Sequence, residues 1–420
     1  SVNSADGAVR DIFRPSPATR RQVMLTSPAT GRMVLAVESA GVWRLAHAGP
    51  RHPEPRLAVP LDDLAGDLVP LAFSPAGRHV LLRVQDGLRS GLLIYDLDGQ
   101  AIRTLPTPDG AVGGPAVWTG TSTGETVRCL FVSASEPFRM LTLDPDRPGR
   151  WSKHDDGTTG NASTRWAPAR VEMFPGGDGP IEAIVHGDED WRTCRRVVVA
   201  LHGGPQRAWT MKFHQLFQYL GAYGITVIAP NPRGSSGYGD RHRDAIRGAW
   251  AGPDLADLLA LNRHVRAERD PADPLPMLYG QSYGAYLALV AAAAEPSAWA
   301  RAVAVAPFLS GARLRAEASA EVRAMLDRLG ACRDIGDGLG PRDVIRLAGR
   351  IRARLLIAHG ADDQVVPVGQ SRALRVELLR LGRREGADFR YREVPGAGHN
   401  PLDGSYRMHA EVASFLAGGE

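Results

Sequence analysis

Gly280-Gln281-Ser282-Tyr283-Gly284 is the stretch that decides the fold of this 420-residue chain. A short apolar run, Met277 to Tyr279, precedes it, and an alanine-rich run, Tyr283 to Ala294, follows it. The pattern predicts a buried strand, a tight turn and a helix, because glycines at both flanks permit a turn that a Cβ would obstruct. Such a turn lifts the Ser282 hydroxyl above the sheet, beside the first amides of the helix. The stretch predicts a serine nucleophile; the alternative is a serine that only caps the helix.

Strands alternate with longer helical patterns on both sides of this stretch. The alternation predicts a mostly parallel sheet with flanking helices, in the outline of an α/β-hydrolase domain over residues 166–420. The predicted strands are 196–201, 226–230, 277–279, 302–305, 355–359 and 389–394. The predicted helices are 215–223, 255–268, 283–294, 370–381 and 406–416.

The chain also offers a base and an orienting carboxylate, which a weakly nucleophilic serine hydroxyl requires. In this fold they follow the serine in the order Asp, His. His359-Gly360-Ala361-Asp362-Asp363 follows an apolar run, and we predict Asp362 as the carboxylate, with Asp363 as its rival. His399 lies in a glycine-containing loop before the last helix and is the predicted base. The predicted triad is therefore Ser282, Asp362 and His399. The alternative for Asp362 is a carboxylate that only stabilises a turn, and the alternative for His399 is an ordinary surface histidine.

A tetrahedral intermediate also needs donors for its oxyanion. Leu201-His202-Gly203-Gly204-Pro205 continues directly from a predicted strand, where backbone without side chains can present its amides. We predict that the amide of Tyr283 supplies one donor and that of Gly203 or Gly204 the other. A glycine turn without function is the alternative.

Residues 1–165 have a different pattern, in which short apolar runs are separated by turn residues. The runs Met33 to Glu38, His79 to Val84 and Val127 to Val132 recur at about 45 residues, near the length of a four-stranded propeller blade. This pattern predicts a smaller all-β, propeller-like domain, although a β-sandwich or an antiparallel meander has similar spacing. A polar, glycine-containing stretch from Asp155 to Thr164 separates it from the second domain.

Composition excludes several other classes of protein. The 44% hydrophobic and 23% charged residues are those of a folded globular chain, and the charge of +4 is scattered, which disfavours nucleic-acid binding. No run approaches the roughly 20 apolar residues of a membrane helix. Cys129, Cys194 and Cys332 have neither the spacing of a disulfide framework nor that of metal ligands. No His-Glu-x-x-His, Cys pair or phosphate-cradling Gly-Lys-Ser/Thr sequence occurs, so no metal or nucleotide cofactor is expected. Without a visible signal peptide, a cytoplasmic location is expected.

The combined motifs resemble those of the prolyl oligopeptidase family of serine peptidases. The likeness rests on His202-Gly203-Gly204-Pro205, the segment Asn231 to Gly239, the Ser282 turn and the two later loops, over roughly residues 171–420. Within the family, it is strongest to acylaminoacyl-peptidases and dipeptidyl-peptidases. The resemblance implies a blade-built domain before an α/β-hydrolase domain, although the blade region is shorter than the family's usual propeller. The shorter region puts strict selection of oligopeptides in doubt.

These patterns support three functions. The first is hydrolysis of a peptide or acyl-amino-acid bond through an acyl-enzyme, with a short peptide or other small acyl compound as substrate. The second is an esterase, amide hydrolase, or acyl-transferring or cyclising enzyme acting on a small natural product. The third is a binding protein without turnover. Phe308, Trp250 and Gln364 are candidate substrate contacts, with core packing as the alternative for the two aromatic residues; a homo-oligomer is left open.

Overall fold

The computed structural model describes residues 19–39, 42–50, 52–60, 67–99, 101–121, 124–154 and 166–419. The chain forms two compact units. One comprises residues 1–164 with two short later segments, 210–213 and 237–240, and the other comprises the remaining residues. The separating stretch from Asp155 to Thr164 lies outside the described residues.

The described residues of the N-terminal unit form three antiparallel sheets, each of four consecutive strands. The first sheet consists of β1 (Thr19–Thr26), β2 (Met33–Ser39), β3 (Val42–Gly49) and β4 (His52–Pro60). The second consists of β5 (Asp67–Phe73), β6 (His79–Asp86), β7 (Arg89–Asp96) and β8 (Ala101–Leu105). The third consists of β9 (Ala111–Thr121), β10 (Gly124–Ser133), β11 (Glu136–Leu143) and β12 (Trp151–His154).

Consecutive sheets of this unit pack through their apolar faces. Val34, Leu45 and Leu82 belong to a core shared by the first two sheets. Leu92 and Phe131 belong to a second core, shared by the second and third sheets. The first strands β1, β5 and β9 neighbour one another in sequence order. The predicted repeat of about 45 residues corresponds to these four-stranded, blade-like sheets, and the all-β prediction is confirmed.

The second unit is built on one eight-stranded sheet in the order β13-β14-β16-β15-β17-β18-β19-β20. From β16 to β20 in that order, neighbouring strands are parallel, whereas β13 and β14 form an antiparallel hairpin that pairs with β16. Its strands are β13 (Ala169–Gly176), β14 (Gly179–His186), β15 (Val197–Leu201), β16 (Thr226–Pro230), β17 (Met277–Gln281), β18 (Arg301–Val305), β19 (Arg354–Gly360) and β20 (Phe389–Val394). The predicted α/β-hydrolase fold class is confirmed.

Helices cover this sheet and complete its core. The helices are α1 (Gln215–Ala222), α2 (Gly239–Asp244), α3 (Pro253–Ala267), α4 (Tyr283–Ala294), α5 (Gly311–Glu317), α6 (Ala320–Leu329), α7 (Val344–Leu347), α8 (Gly369–Arg380) and α9 (Tyr406–Ala417), with a 3₁₀ turn at Ala348–Arg350. Helix α4 is buried along all but its last residue and packs on β15, β17 and β18. Because an all-apolar helix is stable only inside a core, α4 fixes the end of β17 at the centre of the sheet.

Candidate active site

Ser282 lies in the turn between β17 and α4 in a backbone conformation that side chains rarely adopt. Its φ is +56°, and its amide donates to the Val305 carbonyl of the next strand at 2.8 Å. A Cβ on Gly280 would lie 2.1 Å from the Gly284 carbonyl oxygen, and one on Gly284 would lie 2.3 Å from the Leu201 carbonyl oxygen. Both flanking positions therefore require glycine because backbone approaches them too closely for any side chain.

Strained backbone is concentrated around this turn. Among the described residues, the non-glycine residues with positive φ are Ala251, Ser282 and Ala306. Ala306 directly follows β18, and the Ala251 amide donates to the Tyr283 hydroxyl at 3.3 Å. Such conformations cost roughly 1–3 kcal/mol each and persist where surrounding structure fixes them, often at functional sites.

The carboxylate that contacts His399 is that of Asp363, so the pairing predicted for Asp362 is wrong. Asp363 Oδ2 lies 2.7 Å from His399 Nδ1, and the Asp363 side chain is buried. The Asp362 side chain is exposed, and this residue contacts the His399 loop through its backbone amide, which donates to the Ala397 carbonyl at 2.9 Å. The turn after β19 directs the second of the two adjacent carboxylates inward and the first outward.

Both oxygens of Asp363 are fully engaged. Oδ1 accepts the amides of Val365 and Val366 at 2.8 and 2.9 Å, while Oδ2 faces His399 and, at 3.2 Å, His359 Nε2. Burial alone would raise the pKa of Asp363, but the hydrogen bonds from the two histidines and the Val366 amide outweigh it and hold this pKa well below its usual range. Asp363 is therefore an ionised carboxylate in a fixed orientation.

The hydrogen-bond partners also fix the orientation of both imidazoles and the nitrogen of each that donates to the carboxylate. An ionised carboxylate only accepts, so His399 Nδ1 carries a hydrogen and donates it to Asp363. In the neutral ring, Nε2 is left as the basic atom. His359 is completely buried; its Nε2 donates to the Val366 carbonyl and Asp363, and its Nδ1 lies 2.6 Å from the Ser371 hydroxyl. His359 thus supports the carboxylate.

The loop that carries His399 is held against the Ser282 turn. The side-chain amide of Gln281, directly before Ser282, donates to the Asn400 side-chain oxygen, directly after His399. A Cβ on Gly360, at the end of β19, would lie 2.0 Å from the Gly398 carbonyl oxygen. These contacts place all three loops at the carboxyl ends of neighbouring parallel strands, where α/β sheets bind ligands.

The glycine loop after β15 lies beside the nucleophile. A Cβ on Gly203 would lie 3.3 Å from the Gln281 carbonyl oxygen and 3.5 Å from the Ser282 Cβ, so glycine brings the backbone of this loop close to the serine. Burial lowers the pKa of His202 to about 4, so its ring is neutral near pH 7. His202 Nδ1 lies 2.8 Å from the Gly203 carbonyl, which can only accept, and Nε2 lies 2.8 Å from the Ser235 hydroxyl. His202 therefore fixes the peptide that joins Gly203 to Gly204.

Tyr283, the first residue of α4, is anchored by a buried acid that the sequence did not reveal. Its hydroxyl donates to Asp254 Oδ2 on α3 at 2.6 Å, and Asp254 is only 1% exposed. The first amide of a helix has no partner within the helix, so the Tyr283 amide is free to face an oxyanion. The link between Tyr283 and Asp254 ties this amide to α3.

Asp254→Asn should change how stability depends on pH. Burial raises the pKa of Asp254 to about 6, although the hydrogen bond from Tyr283 partly opposes this. Between about pH 4, where the unfolded carboxyl titrates, and pH 6, the folded chain keeps a proton that the unfolded chain loses, so stability falls as pH rises. The free energy of unfolding is measured in urea for the parent and for Asp254→Asn. The parent value minus the variant value should fall by up to about 3 kcal/mol from pH 4 to pH 7. A pH-independent difference would contradict this ionisation.

The predicted substrate contacts have different surroundings. Phe308 is 2% exposed and stacks on Tyr286 with 4.6 Å between ring centroids, so it belongs to the core. Trp250 is also largely buried, but it lines a surface cavity together with Tyr286. Gln364 is exposed, and its side-chain amide donates to the Asp362 carbonyl at 3.3 Å. Trp250 is thus the one of these three candidates that borders a described cavity.

Arg233 anchors its own loop to α3. Its guanidinium contacts the buried Asp257 on α3, with 2.7 Å between Nη2 and Oδ1, and it also donates to the Pro253 carbonyl. This arrangement connects the loop after β16 to α3, beside Asp254.

The described residues contain no group of three or more His, Cys, Asp or Glu side chains arranged to hold a metal ion. None of the helices within the described ranges is both long and apolar enough to cross a bilayer. The three cysteines are unpaired, and only Cys332 is exposed.

Comparison with known families identifies the segment that carries this geometry. Residues 211–417 match the model of the prolyl oligopeptidase family. The resemblance to this family of serine peptidases is confirmed. The matched segment begins after the His202 loop and includes the Ser282 turn, Asp363 and His399.

Curated relatives align with this part of the chain. An uncharacterized peptidase of Bacillus subtilis, YuxL, is 27% identical over 229 residues, which are 50% of this chain and 31% of YuxL. The acylamino-acid-releasing enzyme of Arabidopsis thaliana is 24% identical, over 58% of this chain and 32% of the enzyme. A probable dipeptidyl-peptidase 5 of Emericella nidulans is 38% identical over 90 residues, 21% of this chain and 12% of that protein. The chain thus spans a third or less of these relatives.

Solved structures extend the similarity of fold to nearly the whole chain. A puromycin-hydrolyzing peptidase of Mycobacterium tuberculosis has a TM-score of 0.72 at 21% identity, covering 93% of this chain and 60% of that one. An acylaminoacyl peptidase of Pyrococcus horikoshii has a TM-score of 0.72 at 16% identity, covering 92% of this chain and 61% of that one. At these identities the likeness establishes the fold.

Proposed function

We propose that the chain is a serine hydrolase that cleaves a peptide or acyl-amino-acid amide bond. The observation that carries the proposal is the contact between His399 Nδ1 and the buried, fully hydrogen-bonded Asp363. The next residue, Asn400, contacts Gln281 in the Ser282 turn, which holds the His399 loop beside the serine. The family match and the names of the relatives, which include an acylamino-acid-releasing enzyme and dipeptidyl-peptidases, support an amide as the bond.

The proposed reaction proceeds through an acyl-enzyme. Ser282 Oγ attacks the substrate carbonyl carbon while His399 Nε2 takes its proton, and Asp363 stabilises the resulting imidazolium. The amides of Tyr283 and of Gly203 or Gly204 bind the oxyanion, each donor contributing about 10²- to 10³-fold in rate. His399 then protonates the leaving amine. Water, activated by the same histidine, releases the acyl group and restores Ser282.

A panel of chromogenic substrates tests which bond is cleaved. It comprises N-acetyl-aminoacyl and unblocked dipeptidyl p-nitroanilides, with p-nitrophenyl acyl esters for comparison, each assayed on the parent chain and on Ser282→Ala. We expect the parent chain to hydrolyse at least one anilide with dependence on Ser282. Activity on esters alone would contradict an amide substrate and favour the esterase or acyl-transfer function.

A further inference from the structure

A cavity of about 210 Å³ opens on the hydrolase unit next to helix α4. Its aromatic wall is formed by Trp250 and Tyr286. The segment between α6 and α7, with the start of α5, provides the opposite side, which includes Cys332, Arg333 and, in α7, Arg346. We call this space the arginine cavity. A volume of this size accommodates a single amino-acid side chain but is small for a typical drug-sized ligand.

Some charged groups of the arginine cavity are already neutralised. The Arg342 guanidinium is buried and contacts Asp337 and the Ala251 and Gly340 carbonyls. Asp343 contacts Arg313 at 2.9 Å and accepts the Ile345 amide at the start of α7. Neither of these side chains therefore contributes much uncompensated charge to a ligand.

Two further arginines of the cavity are not neutralised. Within the described part of the chain, the guanidinium groups of Arg333 and Arg346 have no carboxylate or carbonyl partner. Asp334, which also lines the cavity, is the one acid there without a partner in the same residues. Two exposed arginines without an acidic partner thus line the cavity, against one carboxylate without a basic partner, so its border carries a net positive charge that attracts anions.

The cavity borders the helix that begins at the nucleophile. Tyr286 follows Ser282 by four residues, about 6 Å along the helix axis, and its amide donates to the Ser282 carbonyl at 3.0 Å. The Trp250 ring meets the Tyr283 ring edge-on, with 5.0 Å between their centroids. An extended peptide advances about 3.5 Å per residue, so two residues of substrate cover a length similar to the rise from Ser282 to Tyr286.

We propose that the arginine cavity is a specificity subsite for an acidic side chain, so that the substrate is a peptide or acyl-peptide with Glu or Asp close to the cleaved bond. The methylenes of such a side chain pack on Trp250 and Tyr286, and its carboxylate meets Arg333 and Arg346. The choice of substrate rests on the proposed function, whereas the attraction of the cavity for carboxylates does not.

Cys332 provides a test that is independent of catalysis. It is the only exposed cysteine and it lines the cavity, so its alkylation by iodoacetate, an anion, can be compared with alkylation by neutral iodoacetamide. The same thiolate attacks the iodine-bearing carbon of either reagent and displaces iodide, so the ratio of the two rates does not depend on the thiol pKa. We expect this ratio to exceed that of N-acetylcysteine and to fall about threefold in Arg333→Gln and in Arg346→Gln. It should remain unchanged in Arg352→Gln, an exposed arginine outside the cavity. A ratio equal to that of N-acetylcysteine would overturn the proposal.

A matched pair of peptide substrates tests the specificity. The two peptides differ only by Glu or Gln within two residues of the cleaved bond, and kcat/KM is measured for each. The parent chain and Arg352→Gln should prefer Glu by about tenfold, and Arg333→Gln/Arg346→Gln should show no preference. Equal turnover of both peptides by the parent would refute the subsite and leave the proposed function intact. If neither peptide is cleaved, the result counts against the proposed function. The alkylation ratio at Cys332 then shows independently whether the cavity attracts anions.

Discussion

Asp363→Asn is expected to reduce kcat by about 10⁴-fold, whereas Asp362→Asn should leave it within a fewfold of the parent. An asparagine at position 363 presents a weaker acceptor and can turn its NH₂ group toward His399, which favours the tautomer with a hydrogen on Nε2. That tautomer cannot take a proton from Ser282. The side chain of Asp362 is exposed and contacts neither histidine, so its replacement removes no interaction of the imidazole.

These two variants form a matched pair because the same chemical change is made at adjacent positions. Steady-state kinetics on the best anilide of the panel, with circular dichroism to verify folding, measures both. A loss of activity at position 362 with retention at position 363 would contradict the contact between Asp363 and His399. Comparable losses at both positions would mean that the whole turn, rather than one carboxylate, determines activity.

Ser282→Ala should lower kcat for amide hydrolysis by about 10⁶-fold, the largest effect expected for a single substitution in this chain. Because the serine and the histidine act in one step, His399→Ala should cost about as much, and Ser282→Ala/His399→Ala should lose no more than either alone. Single-turnover measurements at high enzyme concentration make such small rates accessible. Multiplication of the two losses in the double variant would show that the residues act separately.

The hydrolase fold could be predicted from the sequence because its local signals agree with its tertiary packing. Strands β16 and β20 and helix α4 have the bounds that the apolar runs and adjoining turns predicted. Helices α5 and α7 were missed because they contain seven and four residues, too few for a clear period, and the ten-residue α6 was missed as well. Their caps were visible, since the side chains of Ser310, Ser319 and Asp343 accept the amides of these helices' first turns.

For the candidate site, the sequence-based prediction differs from the structure at one position: the carboxylate in contact with His399 is Asp363, one residue after the predicted Asp362. Both Asp362 and Asp363 follow β19, and distance from the strand does not determine which side chain turns inward. Asp363 accepts the amides two and three residues ahead, at Val365 and Val366, an arrangement common for aspartate in turns. This pattern favours Asp363, but the same spacing occurs in many surface turns. The partner at His399 is set by tertiary structure and has no local signal.

The link between Tyr283 and Asp254 was hidden for a related reason. Asp254 lies in the first turn of α3, where an acid is ordinarily explained by the helix dipole. Its burial against Tyr283 depends on the packing of α3 on α4. Sequence patterns locate residues along elements, whereas the faces that two helices present to each other follow from the assembled core.

The most direct test of a nucleophilic Ser282 is covalent labelling by a fluorophosphonate. The parent chain and Ser282→Ala are incubated with the probe, and intact-mass spectrometry followed by peptide mapping locates the adduct. We expect one phosphonyl group on Ser282 in the parent chain, slower labelling in Asp363→Asn and no adduct in Ser282→Ala. A folded parent chain that stays unlabelled, or an adduct that persists on another residue in Ser282→Ala, would contradict a catalytic serine at this turn.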